Sequence, residues 1–241
     1  GSTQLVHVLP PECQQGGLEA LTENLADASF RDMLKSRMLT GSDFENISLL
    51  VGFENIVVSS VPLDDLRQYE GRSISSIADE QGKDPFTCLF DLLQAAHCDV
   101  TMIDFITDEA DIDVILRDEH SCVISDSTYP TTGMLHPRVY GTFTTLLEHF
   151  VREKRVLSVE AAVQKCTGRP AAVMGLRQKG VLAPGMDADV NIFDLAQIHT
   201  NATYQQPEQF SSGMDAVLVN GKPAILDGDL TGITNGTVLR R

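Results

Sequence analysis

Residues 122–127 read Cys-Val-Ile-Ser-Asp-Ser, and residues 135–143 read Leu-His-Pro-Arg-Val-Tyr-Gly-Thr-Phe. Cys122 to Ile124 are apolar without alternation, which predicts a short strand buried on both faces. The run stops at Ser125-Asp126-Ser127, and a loop punctuated by Pro and Gly follows, carrying His136, Arg138 and Tyr140. In a parallel α/β sheet or barrel, polar residues at the C-terminal end of a strand are where chemistry is usually mounted. A carboxylate there holds a metal or moves a proton, so Asp126 is the candidate chemical centre. The plainer readings are a turn-capping aspartate, a solvated His136 and Arg138 beside Pro137, and Tyr140 as an aromatic anchor.

Upstream of this stretch, strands and helices alternate. Leu18, Leu21 and Leu25 recur at helical spacing, and Asp27 to Leu39 reads as a second helix with Phe30, Met33, Leu34 and Met38 on one face. Ile56-Val57-Val58 reads as a strand. Ser73 is placed to cap a short helix, and Asp84-Pro85 opens a stronger one with Phe86, Leu89, Phe90 and Leu93 on one side. Val100 to Ile106 is the next strand, and Asp108 caps the helix holding Ile112, Ile115 and Leu116. This rhythm predicts βαβ units and a parallel sheet. Roughly three or four such units are present, short of the eight that close a barrel.

Downstream, Thr144 or Thr145 starts a helix through Arg155. Ser158 caps the next, with Val159, Ala162, Val163 and Cys166 facing inward, and Pro170 starts a third that ends at Gly175. Past Gln178 the texture changes to short strands and turns at Val190–Phe193, Ala216–Val219 and Ala224–Leu226. Asn220-Gly221 between apolar runs signals a hairpin. The organisation expected is therefore an α/β part over 1–177, its first 70 residues a helical lid or insertion, and a small all-β domain over 178–241.

Composition excludes several classes. Net charge is −16, from 18 basic and 34 acidic residues, with no basic patch, which disfavours nucleic-acid binding and favours small-molecule or protein partners. No run of 18 apolar residues predicts a membrane span. The N-terminus lacks a basic-then-apolar signal, so a cytoplasmic protein is expected. The five cysteines are odd in number and form no C-x-x-C pair, which reads as reduced, mostly buried thiols. The six histidines include no H-x-H and no H-E-x-x-H, so this chain alone is not expected to hold a catalytic metal tightly. Neither a G-x-S-x-G elbow nor a Gly-rich phosphate loop is present.

Longer motifs carry a resemblance. Ser125-Asp126-Ser127 is followed by His136-Pro137-Arg138-x-Tyr140-Gly141-Thr142-Phe143, Phe150-Val151-Arg152-Glu153 and Leu157-Ser158-x-Glu160-x-Ala162-Val163-x-Lys165-x-Thr167. Next come Pro170-Ala171, Gly175-Leu176, and Lys179-Gly180-x-Leu182-x-Pro184-Gly185-x-Asp187-Ala188-Asp189-x-x-x-Phe193-Asp194. Val219-Asn220-Gly221 and Leu239-Arg240-Arg241 complete the series. Together they resemble the C-terminal half of N-acyl-D-amino-acid deacylases (D-aminoacylases) of the amidohydrolase superfamily.

The resemblance implies part of a metal-dependent (β/α)8 barrel of the TIM type plus strands of a small β-sandwich. It implies hydrolysis of the amide of N-acyl-D-amino acids with zinc-activated water. Asp126 then matches the barrel aspartate beside the metal, acting as general base and then as acid, and as a weak or indirect metal ligand. Arg138 matches an arginine suited to the substrate's α-carboxylate, with His136 and Tyr140 as neighbouring substrate contacts. Ser2 matches a substrate-binding serine; Gly1-Ser2-Thr3 reads equally as native sequence or as a cloning remnant, and that assignment holds only for the former. The family's H-x-H pair and Cys ligand have no counterpart in the chain. Zinc is therefore expected in the full-length parent and not in this chain, which by itself is expected to be inactive. The open sheet edges of a partial barrel predict association, with a second copy among the partners. A cyclic amidohydrolase of the hydantoinase or dihydroorotase type is the alternative enzyme, and a non-catalytic associating fragment is the alternative outside enzymes.

Overall fold

Among the described residues, six helices begin where a short polar side chain takes over a backbone N–H that the first turn leaves unpaired. One of them begins at Asn46, which accepts from Leu49 N at 3.4 Å. Asp27 accepts from Ser29 N at 3.0 Å, Ser73 from Ser76 N at 3.1 Å and Asp84 from Thr87 N at 3.4 Å. Asp108 accepts from Ala110 N at 2.8 Å and Ser158 from Ala161 N at 3.2 Å. The caps expected at Ser73, Asp84, Asp108 and Ser158 are thus in place. The computed structural model describes residues 1–128 and 133–239; Arg240 and Arg241 of the terminal motif lie outside the described residues.

The chain divides into two units, Gly1–Thr107 with Tyr129–His136, and Asp108–Thr128 with Pro137–Arg241. In the first, helices α1 (Gly17–Asn24), α2 (Ala28–Thr40), α3 (Ile47–Val51), α4 (Ile74–Gln81) and α5 (Pro85–Ala95) accompany strands β1 (Ser2–Gln4), β2 (Ile56–Ser60) and β3 (Thr101–Asp104). Leu5, Leu9, Leu21, Leu34, Met38, Ile56, Ile74, Leu89, Phe90 and Met102 are buried in one apolar cluster. Met33, expected on the inner face of α2, is instead half exposed.

The sheet corrects an expectation. Its order is β1-β3-β2, and β3 runs antiparallel to both neighbours. Strand–helix rhythm predicts a parallel pair when a single helix carries the chain back. Here α4 and α5 both intervene between β2 and β3, and a second traverse reverses the direction of return.

The second unit holds α6 (Glu109–Arg117), α7 (Arg138–Thr145), α8 (Val159–Cys166) and α9 (Gly168–Met174), and α7 runs directly into a π-helical stretch, Leu146–Glu153. Leu116, Leu146, Val151, Val156 and Ala162 are buried together, with Ile112, Val123 and Phe150 packed against them. Strands β4 (Val190–Phe193), β5 (Met214–Val219), β6 (Lys222–Leu226) and β7 (Asp229–Leu230) form an antiparallel sheet in that order. The β5–β6 turn is the expected hairpin, with φ of 48° at Asn220 and 76° at Gly221; both central residues of a type I′ turn need positive φ.

Two further expectations fail in this unit. Cys122–Ile124 joins no ladder among the described residues; its neighbour is the end of α8, where Val123 N–H donates to Lys165 O at 3.0 Å, and Ile124 is 66% exposed. Three apolar residues make a strand only when another strand lies alongside. The helix expected from Thr144 or Thr145 begins at Arg138, so Arg138 and Tyr140 lie on a helix and not in a loop. Pro137, with φ −58° and ψ −18°, already has helical angles. The threonines bond inside the helix: Thr142 Oγ1 donates to Arg138 O at 2.7 Å and Thr144 Oγ1 to Gly141 O at 3.1 Å.

All five cysteines are free thiols; Cys13, Cys88 and Cys98 are buried and the other two half-buried. Burial pushes the Cys13 thiol up to about 12 and those of Cys88 and Cys166 to about 11. Among the described residues, no helix is long and apolar enough to cross a membrane.

Candidate active site

Asp126 sits on a backbone that few residues adopt. Its φ is 49°, in the left-handed region where Cβ crowds the following carbonyl oxygen and where Gly, Asn and Asp are the usual occupants. Positive φ at an aspartate marks the kind of local strain that gathers at functional sites. The carboxylate points outward, 78% exposed, and its Oδ2 lies 3.2 Å from Arg138 Nη1. Arg138 is only 18% exposed, in the first turn of α7. Ser127 Oγ donates to Arg138 O at 3.5 Å, a second tie between the Asp126 segment and the helix. A firmly seated guanidinium thus stands beside an accessible carboxylate. The first can grip an anionic group, and the second can accept and return a proton.

Helix α7 is fixed through its far side. Tyr140 meets Phe210 edge-on with ring centroids 5.4 Å apart. Thr144 Oγ1 and Ser211 Oγ are 2.7 Å apart, and Ser211 Oγ also donates to Tyr140 O at 3.3 Å. Gly141 lets the chain at Thr200 come close, since a Cβ at 141 would stand 2.6 Å from Thr200 Oγ1.

One turn further on, the buried carboxylate of Glu148 collects His199 Nδ1 at 2.6 Å, the Thr200 N–H at 2.7 Å and Arg152 Nη2 at 2.9 Å. Arg152 Nη1 also donates to Leu195 O at 3.0 Å and Ile198 O at 2.5 Å. Burial alone would raise the Glu148 pKa; the Thr200 N–H, His199 and Arg152 outweigh it and hold the carboxyl below its ordinary range.

Asp126, Arg138 and Tyr140 belong to the second unit, and the first two are in contact. Ser2 and His136 belong to the first unit, Ser2 in β1 opposite Ile103. The Glu148–Arg152–His199 brace was not foreseen. Its one signal was a Glu and an Arg four residues apart on a helix, a spacing more often found on solvated faces.

Among the described residues, no three His, Cys, Asp or Glu side chains gather as a metal-ligand set. The chemistry beside Asp126 agrees, because a dication there would face the Arg138 guanidinium 3.2 Å from the carboxylate. Among the described residues, the groups around Asp126 do not make a metal-ligand set by themselves.

The amidohydrolase family model matches residues 52–225. The chain belongs to the amidohydrolase family. This amidohydrolase is 40% identical to the N-acyl-D-aspartate deacylase of Alcaligenes xylosoxydans xylosoxydans over 162 residues, which are 67% of this chain and 31% of that protein. A solved D-aminoacylase with a binuclear metal centre superposes with a TM-score of 0.71 at 32% identity, covering 80% of this chain and 39% of that one. The N-acyl-D-glutamate deacylase of Bordetella bronchiseptica, complexed with zinc and a phosphonate inhibitor, gives a TM-score of 0.66 at 30% identity, covering 80% and 37%. The amidohydrolase chain therefore spans between 31% and 39% of the length of these relatives.

Proposed function

We propose that the full-length protein is an N-acyl-D-amino-acid deacylase, hydrolysing the substrate amide to a carboxylate and a free D-amino acid. The observation that carries this reading is the Asp126–Arg138 pair at 3.2 Å. In an N-acyl amino acid the α-carboxylate and the amide nitrogen share one carbon, so a carboxylate clamp and a proton carrier must stand side by side. Arg138 takes the α-carboxylate in place of Asp126. Asp126 accepts the proton of the attacking water as the new C–O bond forms. It returns that proton to the nitrogen as the C–N bond breaks, so the amine leaves neutral. Ser2, His136 and Tyr140 are further substrate contacts in this reading.

In the same reading, residues 1–177 contribute to a (β/α)8 barrel and 178–241 to a small β domain. Zinc is held by the full-length protein through ligands outside these 241 residues, a reading supported by the zinc-complexed N-acyl-D-glutamate deacylase. The chain alone is then inactive, and association with a second copy is an alternative way of covering its open sheet edges.

The test is Asp126→Asn in the full-length protein. Release of D-amino acid from an N-acyl-D-amino acid should fall by about 10²–10⁴-fold, with zinc content unchanged. Wild-type turnover in this variant would overturn the assignment. A hydantoin and dihydroorotate assayed alongside separate a deacylase from a cyclic amidohydrolase.

A further inference from the structure

Lys165 lies in the last turn of α8 and is 4% exposed. Its ammonium group donates to the Asp118 carbonyl oxygen, to Ser121 Oγ at 2.8 Å and to Ser121 O at 3.4 Å. Its own carbonyl oxygen accepts the Val123 N–H at 3.0 Å. Arg169 Nη1 adds a contact to Ser121 O at 3.5 Å. One residue therefore grips the chain at three points between 118 and 123, immediately before the turn that presents Asp126.

Three acceptors match the three protons of an ammonium, and none of them is a carboxylate. The Asp118 carboxylate interacts with this cation electrostatically but is not a hydrogen-bond partner. Burying a cation held in this way is unfavourable compared with a buried Leu or Met of similar length. Simple packing does not account for a lysine here. Asp126, in contrast, is tied to α7 through the Arg138 pair and the Ser127 hydrogen bond to Arg138 O, and a substrate carboxylate bound at Arg138 takes the first of these away. Asp126 stands outside any ladder among the described residues, on a left-handed backbone, with an outward carboxylate.

We infer that Lys165 is a positioning residue for Asp126, fixing the 118–123 segment against α8 so that the carboxylate stays within reach of the group bound at Arg138. This rests on the deacylase reading. Because a displacement of about 1 Å can lower a rate about 100-fold, loss of the clasp acts on the chemical step. Arg138 is seated on α7 and keeps its grip on the substrate.

In the full-length enzyme, Lys165→Met should lower kcat by about 10- to 100-fold while KM stays within about twofold. Lys165→Arg, which restores a buried cationic donor, should recover part of the loss. Ser121→Ala removes one acceptor and should lower kcat by a smaller factor at unchanged KM. In the 241-residue chain, amide hydrogen exchange over 118–126 should accelerate in Lys165→Met while α2 is unaffected. Wild-type kcat in a folded Lys165→Met overturns the inference, as does a change of kcat, KM and thermal stability in parallel. Should Lys165→Met not fold, Ser121→Ala decides alone. An inactive Asp126→Asn with a fully active Lys165→Met overturns only the role of Lys165; an active Asp126→Asn overturns the deacylase reading and this inference together.

Discussion

Glu148 and His199 share a 2.6 Å contact that joins the helix of Arg138 to the segment leading into β5. The Glu148 carboxyl titrates below its ordinary value because its hydrogen bonds outweigh burial. A depressed carboxylate adds stability that is present above the unfolded-state pKa, about 4.3, and lost as pH falls through the folded value. His149, on the same stretch, behaves in the opposite sense. Glu109 and Glu153 raise its pKa, so its contribution is complete below about 6.5 and is lost as pH rises through the raised value. His149 is partly exposed, so its share is below about 1 kcal/mol. The second unit should therefore be most stable between about pH 5 and 6.5. Thermal unfolding across pH should show Glu148→Gln lower by about 1–3 kcal/mol at pH 7 and less sensitive to acid. His149→Gln should flatten only the alkaline side.

Two glycines in this unit separate a tolerable contact from an impossible one. At Gly141 an added methyl meets the Thr200 hydroxyl, which can rotate away, and alanine in a helix gains about 1 kcal/mol over glycine. Gly141→Ala should therefore change stability by less than about 1 kcal/mol. At Gly213, φ is 87° and a Cβ would lie 2.2 Å from Gln197 O and 2.6 Å from Ile198 N, both backbone atoms. Strain and overpacking add, so Gly213→Ala should cost about 3 kcal/mol or more. Chemical denaturation of the two variants checks the contrast.

Arg138→Lys in the full-length enzyme keeps the charge but loses the planar fork that matches a carboxylate. KM for an N-acyl-D-amino acid should rise about 10-fold or more, with a smaller change in kcat. The pair with Asp126 is too exposed to matter much for folding, so the unfolding midpoint should move little, by about 1 kcal/mol or less. A change confined to kcat would remove Arg138 from carboxylate binding.

Local signals were legible in the sequence and long-range ones were not. Ser73, Asp84, Asp108 and Ser158 announce helix starts because a cap acts within three residues, and Asn220-Gly221 announces its turn for the same reason. The direction of β3 depends on how many helices precede it, which periodicity does not report. Cys122–Ile124 has strand composition but lies beside a helix end. Thr142 and Thr144 resemble cap residues, yet their hydroxyls bond carbonyls inside α7. In the candidate site, Asp126 stands out by its place after Cys122–Ile124, although that run forms no strand; the family motifs add a role for it and for Arg138, and the fold brings the two into contact. The motifs also contain Lys165 and Arg152, but nothing in the sequence says that they reach backbone oxygens 44 to 47 and 43 to 46 residues away.

The left-handed backbone at Asp126 limits what substitution can explore there. Gly and Asn fit the φ of 49° at least as well as Asp, and neither can carry a proton at neutral pH. Glu keeps an acid but meets the left-handed penalty of about 1–2 kcal/mol and projects its carboxyl one methylene further out. Of Gly, Asn, Glu and Asp, aspartate alone satisfies both the main chain and an acid–base task. A library at this position ranked by thermal stability should therefore favour Gly or Asn, and one ranked by turnover should return Asp, so neither ranking predicts the other.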